Sequence, residues 1–366
     1  MSKIAVCLSG GGSRAIAFHL GCLRSLEKHG ILNDVKCISS ISGGSVINGM
    51  YSYSEESFEE FEQRVVGVLK EGLKSSIAAN YVVHELLGSF FNNILIFLFF
   101  CINKIFKTSF FIPKHFSMTK GLAKKLNTTL RDKELSSSTR NGIEAIFNAT
   151  NVDDGTAFRF SNLEVTSWKN NKSHGEIINS FKLAEAVTAS AAFPLLLAPL
   201  DLNIEFNSGT KKWVSLTDGG VYENLGITPL FFRHRKVGYS PVNPDYIFAF
   251  DAETESFDSK GNRSLFGRLG RCVEVTMRRV RSMNFKVLND LKADGRIKGF
   301  VLTTLNQDDS AYENLYLDSI SREQVNKYPT NFSPMSVDDI ELLSRRGEEL
   351  TDNFISLHVP ELIKKD

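Results

Sequence analysis

Near the N-terminus of this chain two glycine-rich turns each join a short apolar run to a helix, and together they constrain the fold more than any other feature. The first run, "KIAVCL" (residues 3–8), reads as a strand buried on both faces. It passes through Ser9 and Gly10-Gly11-Gly12 into a helix over about 13–29. There Ile16, Leu20, Leu23 and Leu26 recur at helical spacing, and Gly30 follows as a stop. The second run, "VKCISSIS", leads into Gly43-Gly44 and a helix carrying Val46, Ile47 and Met50. Strand, helix and strand within about forty residues form a βαβ unit, whose strands run parallel. Both turns then fall at the carboxyl ends of neighbouring strands, the edge where open α/β sheets place their ligands.

The alternation of β and α signals continues along the chain. Residues 55–84 are mixed and read as helical. "GIEAIFNATNVDDG" and "FRFSNLEV" predict strands joined by a turn at Asp153–Gly155. "SFKLAEAVTASAAFP" predicts a helix that stops at Pro194, and "WVSLTDGG" and "DYIFAFDAE" predict two more strands. A helix is expected over about 337–358, with Ser336 as cap and Asp339 three residues on in a capping-box pattern. The expectation is an α/β fold in a single domain over 1–366, with an inserted cap or lipid-interface segment at about 52–120. An apolar fraction of 42% is enough for a substantial core. Lys plus Arg is 43 and Asp plus Glu is 42, so the net charge of +1 gives no support for a nucleic-acid partner. The five cysteines (Cys7, Cys22, Cys37, Cys101, Cys272) are scattered and form no CxxC pair, so neither a disulfide framework nor a zinc site is expected. The start, "MSKIAVCLSGGG", reaches the glycine turn too soon to hold a secretory h-region, and the expected location is the cytoplasm.

Phenylalanine is over-represented, 28 against 9 Tyr and 2 Trp, and crowds into residues 90–111. From Leu86 to Asn103 there is no charge, and "ILIFLFFCI" (94–102) forms the centre. That dense core is short of the roughly 20 residues a membrane span needs. Gly88, Ser89, Asn92 and Asn93 interrupt the rest. Two other readings stand beside a membrane span. One is a buried core or cap helix. The other is a surface segment, Phe90 to Phe111, that dips into a lipid interface with Lys104, Lys107 and Lys114 near the headgroups.

Three stretches carry candidate chemistry. "SGGGSRA" (9–15) formally matches the dinucleotide pattern G-x-G-x-x-A, which is weak alone. The second strand ends in "SSISGG" and lacks the acid that would hold a ribose, since Asp34 precedes that strand. In "SISGG" (40–44) Ser42 occupies the setting of a nucleophile elbow, where small neighbours let a strained turn close. The helix N-terminus beneath it favours negative charge. The Gly10, Gly11 and Gly12 amides can then face a carbonyl oxygen as an oxyanion hole. The third stretch is "TDGG" (217–220). Alone it is a plain turn, but beside Ser42 it makes Asp218 a candidate base. None of the seven histidines (His19, His29, His84, His115, His174, His234, His358) sits in a stretch suited to a triad, and His19 lies in the first helix. The economical reading is a Ser–Asp dyad. An unperturbed Asp, with a pKa of about 3.9, is a feeble base and needs burial to rise.

Taken together these residues resemble the patatin-like phospholipase family. The resemblance rests on "SGGGSRA", "SISGG", "TASAAFP" (188–194) and "DGGVYENLG" (218–226) in order, with "NATNVDDG" as a further strand-turn. It implies a patatin-like three-layer α/β/α fold with a mostly parallel central sheet and a Phe-rich cap. It implies a lipid acyl hydrolase in which Ser42 is the nucleophile, Asp218 the base, and Gly10, Gly11 and Gly12 the oxyanion hole. Arg14 matches the basic residue that helps hold an anionic headgroup or the oxyanion in many members; its plainer reading is a solvated arginine at a helix start. The implied partners are a phospholipid or other lipid ester and a membrane surface, with no cofactor. Ser9 stands where many members have Asp, Ala15 where many have Gly, and Ser40 where Gly is usual. The rival readings are a transacylase with the same dyad, a catalytically silent lipid-binding effector, and a dinucleotide enzyme.

Overall fold

In the computed structural model a nine-stranded sheet carries both glycine turns on one edge. Residues 2–73, 94–102, 104, 118–194, 197–230, 243–254, 265–311, 319–326 and 328–363 are described. Strand β1 (Ile4–Leu8) lies at the centre, between β2 (Val35–Ser40) and β8 (Tyr246–Asp251), and pairs parallel with both. Strands β3 (Glu144–Asn151) and β9 (Gly299–Thr304) extend the parallel sheet on either side. Antiparallel β4 (Thr156–Ser161) and β5 (Val165–Ser167) form one rim, while β7 (Lys211–Asp218) runs antiparallel to the end of β3 and to β6 (Leu200–Glu205). Leu8 is opposite Ser40 in this register, so the turns after β1 and β2 emerge side by side.

The central strands are buried along their whole length because both faces are covered, which is why they read as continuous apolar runs. On one face lie α1 (Gly12–Lys28), α2 (Gly43–Ser52), α3 (Phe58–Glu71), α4 (Met118–Thr129), α5 (Leu183–Ala191) and, later in the chain, α7 (Val337–His358). On the other, Leu288 and Leu291 of α6 (Leu265–Ala293) pack with Ala5, Cys7, Ile146 and Ile247 of the strands. This is the expected α/β/α arrangement around a mostly parallel sheet. Helix α1 is buried along most of its length. It crosses α7 so closely that a Cβ on Gly21 would sit 1.7 Å from the Ser344 carbonyl oxygen, and one on Gly347 would sit 2.3 Å from that of Phe18.

Local chemistry moves some boundaries. "FRFSNLEV" is two strands, because the Ser161 hydroxyl bonds the backbone of Leu163 and Glu164 and turns the chain before β5. Helix α5 ends at Ala191, three residues before Pro194. Helix α7 spans Val337–His358, and Ser336 Oγ accepts from Asp339 N–H at 3.1 Å. The reciprocal half of the capping box differs: Asp339 meets the Ser336 hydroxyl (2.7 Å), since an aspartate is a methylene shorter than the usual glutamate.

Helix α3, inside 52–120, and α4, which starts at its end, belong to the core through Phe61, Val65 and Leu69 and through Leu122 and Leu126 respectively. The stretch between them differs. Residues 94–102 are helical, and Phe97 and Phe100 are 64% and 61% exposed. The buried-cap reading therefore fails for these nine residues. Residues 86–93, 103 and 105–111 lie outside the described set. No helix among the described residues is long and apolar enough to cross a membrane.

Candidate active site

Ser42 sits between β2 and α2 with φ 52° and ψ −118°. A non-glycine residue held there costs about 1–3 kcal/mol, so the surroundings must impose it. They do so from three sides. The Ser42 amide donates to Ser190 O (3.2 Å) and Ser190 Oγ (3.1 Å), and the Ile41 amide donates to Leu8 O (3.0 Å). Gly43 and Gly44 leave no room for side chains: a Cβ would lie 2.3 Å from Gly12 O and 2.4 Å from Leu8 O respectively. Under the turn runs a hydroxyl network. Ser45 Oγ donates to Ser40 Oγ (3.1 Å) and lies 2.8 Å from Ser190 Oγ, while Asn48 Nδ2 donates to Ser40 Oγ (2.8 Å). Ser40 is thus more than a small residue in place of a glycine, since its hydroxyl joins β2 to α2.

Asp218 closes β7, 2% exposed, beside a Ser42 that is 6% exposed. Its amide donates to Ala192 O (3.0 Å), as does the Thr217 hydroxyl (2.7 Å). Its Oδ1 accepts from the Gly220 amide (2.7 Å), and its Oδ2 is buried with no hydrogen-bond partner. Burial pushes the carboxyl up from 3.8 to about 6. The Gly220 amide and, more weakly, the neighbouring Ser42 hydroxyl hold it down from going further. The Ser42 hydroxyl is close enough to act on the carboxylate, although Oδ2 makes no well-formed hydrogen bond. Residues 190–192, in the "TASAAFP" stretch, grip both sides: Ser190 holds Ser42, and Ala192 holds Asp218.

The glycine loop faces Ser42. A Cβ on Gly10 would stand 3.2 Å from Ser42 Cβ. The three amides are not equivalent. Gly10 N–H donates to Asn224 O (3.3 Å), whereas Gly11 N–H and Gly12 N–H have no acceptor among the described residues. Gly11 and Gly12 have φ of 145° and 63°, which a side chain would disfavour. The next amide, Ser13 N–H, is taken by Asn331 O (2.7 Å).

Arg14 is not a solvated arginine. It is buried behind the loop, with Nη1 donating to Tyr328 O (2.8 Å) and Thr254 Oγ1 (3.1 Å), and Nη2 lies near Gly11. Burial lowers its pKa to about 10, against the opposing pull of Glu253 and Asp251, so it stays charged. His19 is buried too, and burial lowers its pKa to about 4. The neutral ring places Nε2 3.0 Å from Ser9 O, and since a carbonyl only accepts, that nitrogen carries the proton. Ser9 Oγ in turn donates to Gly10 O (3.1 Å) and accepts from the Ala252 amide (2.8 Å).

Several residues here were not singled out from sequence. The buried Glu223 carboxylate accepts from the amides of Leu225, Gly226 and Thr228, from the Thr228 hydroxyl and from Asn284 Nδ2, which pins the turn after Asp218. Asn224 Oδ1 would stand 2.5 Å from a Cβ on Gly10 and 2.7 Å from one on Gly220, so it wedges between the glycine loop and the base turn. Neither "E" nor "N" in a polar turn announces burial. Asn148 did leave a signal, an amide directly after the apolar run Ala145–Phe147 of β3; its Nδ2 donates to Ser39 Oγ (2.9 Å) and Ser40 O (3.1 Å).

The model of the family described as patatin-like phospholipase matches residues 6–231, well over half the chain. The chain belongs to the patatin-like phospholipase family. The matched span includes the glycine loop, Ser42, Ser190 and Asp218. The architecture is similar to that of human GIVD cytosolic phospholipase A2 solved with methyl gamma-linolenyl fluorophosphonate and terbium chloride, with a TM-score of 0.56 and 14% identity. That alignment covers 99% of this chain and 58% of the phospholipase, so this patatin-like chain spans little more than half its length. A second complex of the same phospholipase with the fluorophosphonate gives a TM-score of 0.53 at 14% identity over 99% and 58% of the two chains. VipD from Legionella pneumophila gives 0.40 at 13% identity over 98% and 67%. No curated protein sequence matches the chain. In this family member β8, β9, α6 and α7 lie beyond the matched span, yet β8 pairs directly with β1 in the sheet.

Proposed function

We propose that the protein is a lipid acyl hydrolase of phospholipase A or lysophospholipase type, working through Ser42 and Asp218. One observation carries this reading: a strained serine at a helix N-terminus stands beside a buried carboxylate whose Oδ2 is unpartnered, with two unclaimed amides on the facing loop. Ser42 Oγ attacks the ester carbonyl carbon, and its proton passes to Asp218 Oδ2. The carbonyl electron pair becomes an oxyanion, held by Gly11 and Gly12 N–H; one such donor is typically worth about 2.7–4 kcal/mol of barrier. The charged Arg14 behind the loop adds positive potential. Collapse breaks the ester C–O bond, and the leaving alcohol takes the proton from Asp218. Water then attacks the acyl-enzyme, again giving its proton to Asp218, and the second collapse releases the fatty acid and restores Ser42. The steps call for no metal or organic cofactor. An alcohol leaves more readily than an amine, so a dyad without an imidazolium suits esters. A carboxyl near 6 is ionised at pH 7 and still a stronger base than an ordinary aspartate.

The experiment that tests this incubates the protein with phospholipid vesicles containing a diacylglycerol acceptor and follows both products, alongside labelling by a lipid fluorophosphonate. Free fatty acid as the main product and label on Ser42 are expected. An acylated acceptor as the main product assigns acyl transfer instead. Absence of both products together with absence of label leaves a lipid-binding effector.

We read the substrate as a membrane lipid met by peripheral association at the cytoplasmic surface, with 94–102 as the inserting part of a 52–120 cap in an otherwise single domain. The exposed Phe97 and Phe100 support this. Phe97→Glu/Phe100→Glu is expected to weaken sedimentation with phosphatidylcholine vesicles by roughly tenfold or more, with turnover of a soluble short-chain ester unchanged. Vesicle binding equal to wild type would remove the segment from the interface.

A further inference from the structure

We propose that the outer face of α6 docks on an anionic phospholipid bilayer, which sets the dyad against the surface that holds its substrate. This rests on the lipid hydrolase reading above. Helix α6 carries five arginines and two lysines against Glu274 and Asp290, in a chain whose net charge is only +1. Its inner face is accounted for. Leu288 and Leu291 pack on the strands, Asn284 bonds Glu223, and Arg281 pairs with Asp251 and Glu253. Met277 Cε reaches within 3.2 Å of the Cβ position of Gly220, two residues from Asp218.

The outer face is different. At about 100° per residue, Arg268, Val275, Arg279 and Lys286 fall in one narrow sector with Met283 at its margin. Arg268, Arg279 and Lys286 are exposed, and among the described residues none of the three has an acidic partner. Val275 is half exposed and Met283 is 59% exposed. Asp290, near the end of the helix, is the acidic residue on this face. Cations alternating with apolar side chains on one helix face match an anionic headgroup layer over acyl chains. A polyanion such as nucleic acid would satisfy the arginines and leave Val275 and Met283 in water. A helix is about 10 Å across, so a bilayer on this face lies one helix away from the turn that carries Asp218.

The test uses the full chain as Ser42→Ala, so that vesicles are not consumed, and measures sedimentation with phosphatidylcholine vesicles with and without phosphatidylserine. Each cation near an anionic surface is worth about fivefold in partition. Tighter binding to the serine-lipid vesicles by about tenfold or more is expected, with the gap narrowing as salt shortens the screening length. Arg279→Glu/Lys286→Glu should close that gap. Arg279→Gln/Lys286→Gln should narrow it in the same direction, and it serves if the double glutamate variant fails to fold. Met283→Asp should weaken binding even at high salt. Equal binding to both vesicle types, or glutamine and glutamate variants that bind like their parent, overturns the proposal. The same substitutions in the Ser42 protein should leave hydrolysis of a soluble short-chain ester intact. If that hydrolysis is missing from the unmodified protein, the hydrolase reading fails while the vesicle result still decides the docking face.

Discussion

Ser42→Ala should end fatty acid release from phospholipid while leaving the fold and its stability close to wild type. Loss of a serine nucleophile costs catalysis on the order of 10⁶-fold where it has been dissected in triad hydrolases, and a dyad has no second nucleophile to fall back on. The Ser42 hydroxyl acts only weakly on the Asp218 carboxylate, whose Oδ2 keeps no hydrogen-bond partner. Removing its hydroxyl should therefore change unfolding free energy by no more than about 0.5 kcal/mol. Ser42→Gly separates chemistry from strain. It is equally inactive, but glycine tolerates φ 52° without the penalty a side chain brings, so it should unfold about 1 kcal/mol later than Ser42→Ala. Denaturant unfolding and fatty acid titration on the three proteins check this. Persistent turnover by folded Ser42→Ala would falsify the mechanism.

Asp218→Asn should remove turnover and at the same time stabilise the protein at neutral and alkaline pH. Burial raises the folded-state pKa of Asp218 from 3.8 to about 6. A group with a raised folded pKa contributes its full favourable share below its unfolded pKa, and that share is lost as pH rises through the folded one. Above about pH 6 the buried carboxylate therefore destabilises the fold, by roughly 3 kcal/mol at 1.36 kcal/mol per unit. Asparagine keeps an acceptor for the Gly220 amide and carries no charge. The variant should be more stable than wild type at pH 8, with the difference nearly gone at pH 4. In the wild type, kcat/KM should fall below a midpoint near pH 6 as the base takes up its proton. A variant less stable than wild type at pH 8 would show that burial is not what sets the basicity of Asp218. An acid limb near pH 4 would point the same way. A site that becomes more stable when disabled is what a strained, desolvated centre predicts.

Much of this was readable because it is local. The two strand-turn-helix units are written in adjacent residues: an apolar run, small residues at the turn, then a 3.6-residue period. Ser42 and Gly10–Gly12 could be proposed from that alone, and their proximity followed from the parallel pairing that puts Leu8 opposite Ser40. Asp218 was weaker as a local signal, because an Asp-Gly-Gly turn is common. It gained meaning only beside a candidate serine. The break in "FRFSNLEV" was missed because the Ser161 hydroxyl competes with the ladder for backbone hydrogen bonds, which no periodicity records.

What the amino-acid order determined by itself was the α/β class, the two turns, and the residue types able to attack an ester and stabilise its oxyanion. Those depend on glycines that must be small and on spacings within a few residues. What only the tertiary structure decided was which groups are available. Gly10 N–H is taken by Asn224 O, from the turn after β7, which leaves Gly11 and Gly12. Arg14 is drawn inward by Thr254 and Tyr328, far along the chain. Asp218 becomes a stronger base because the ends of α5 and β7 close around it and exclude water. Burial and hydrogen-bond competition are set by residues tens to hundreds of positions apart, so they exist only once the chain has folded. The glycine triplet raised the expectation of an anion site; the fold takes one of its amides and leaves two unclaimed among the described residues.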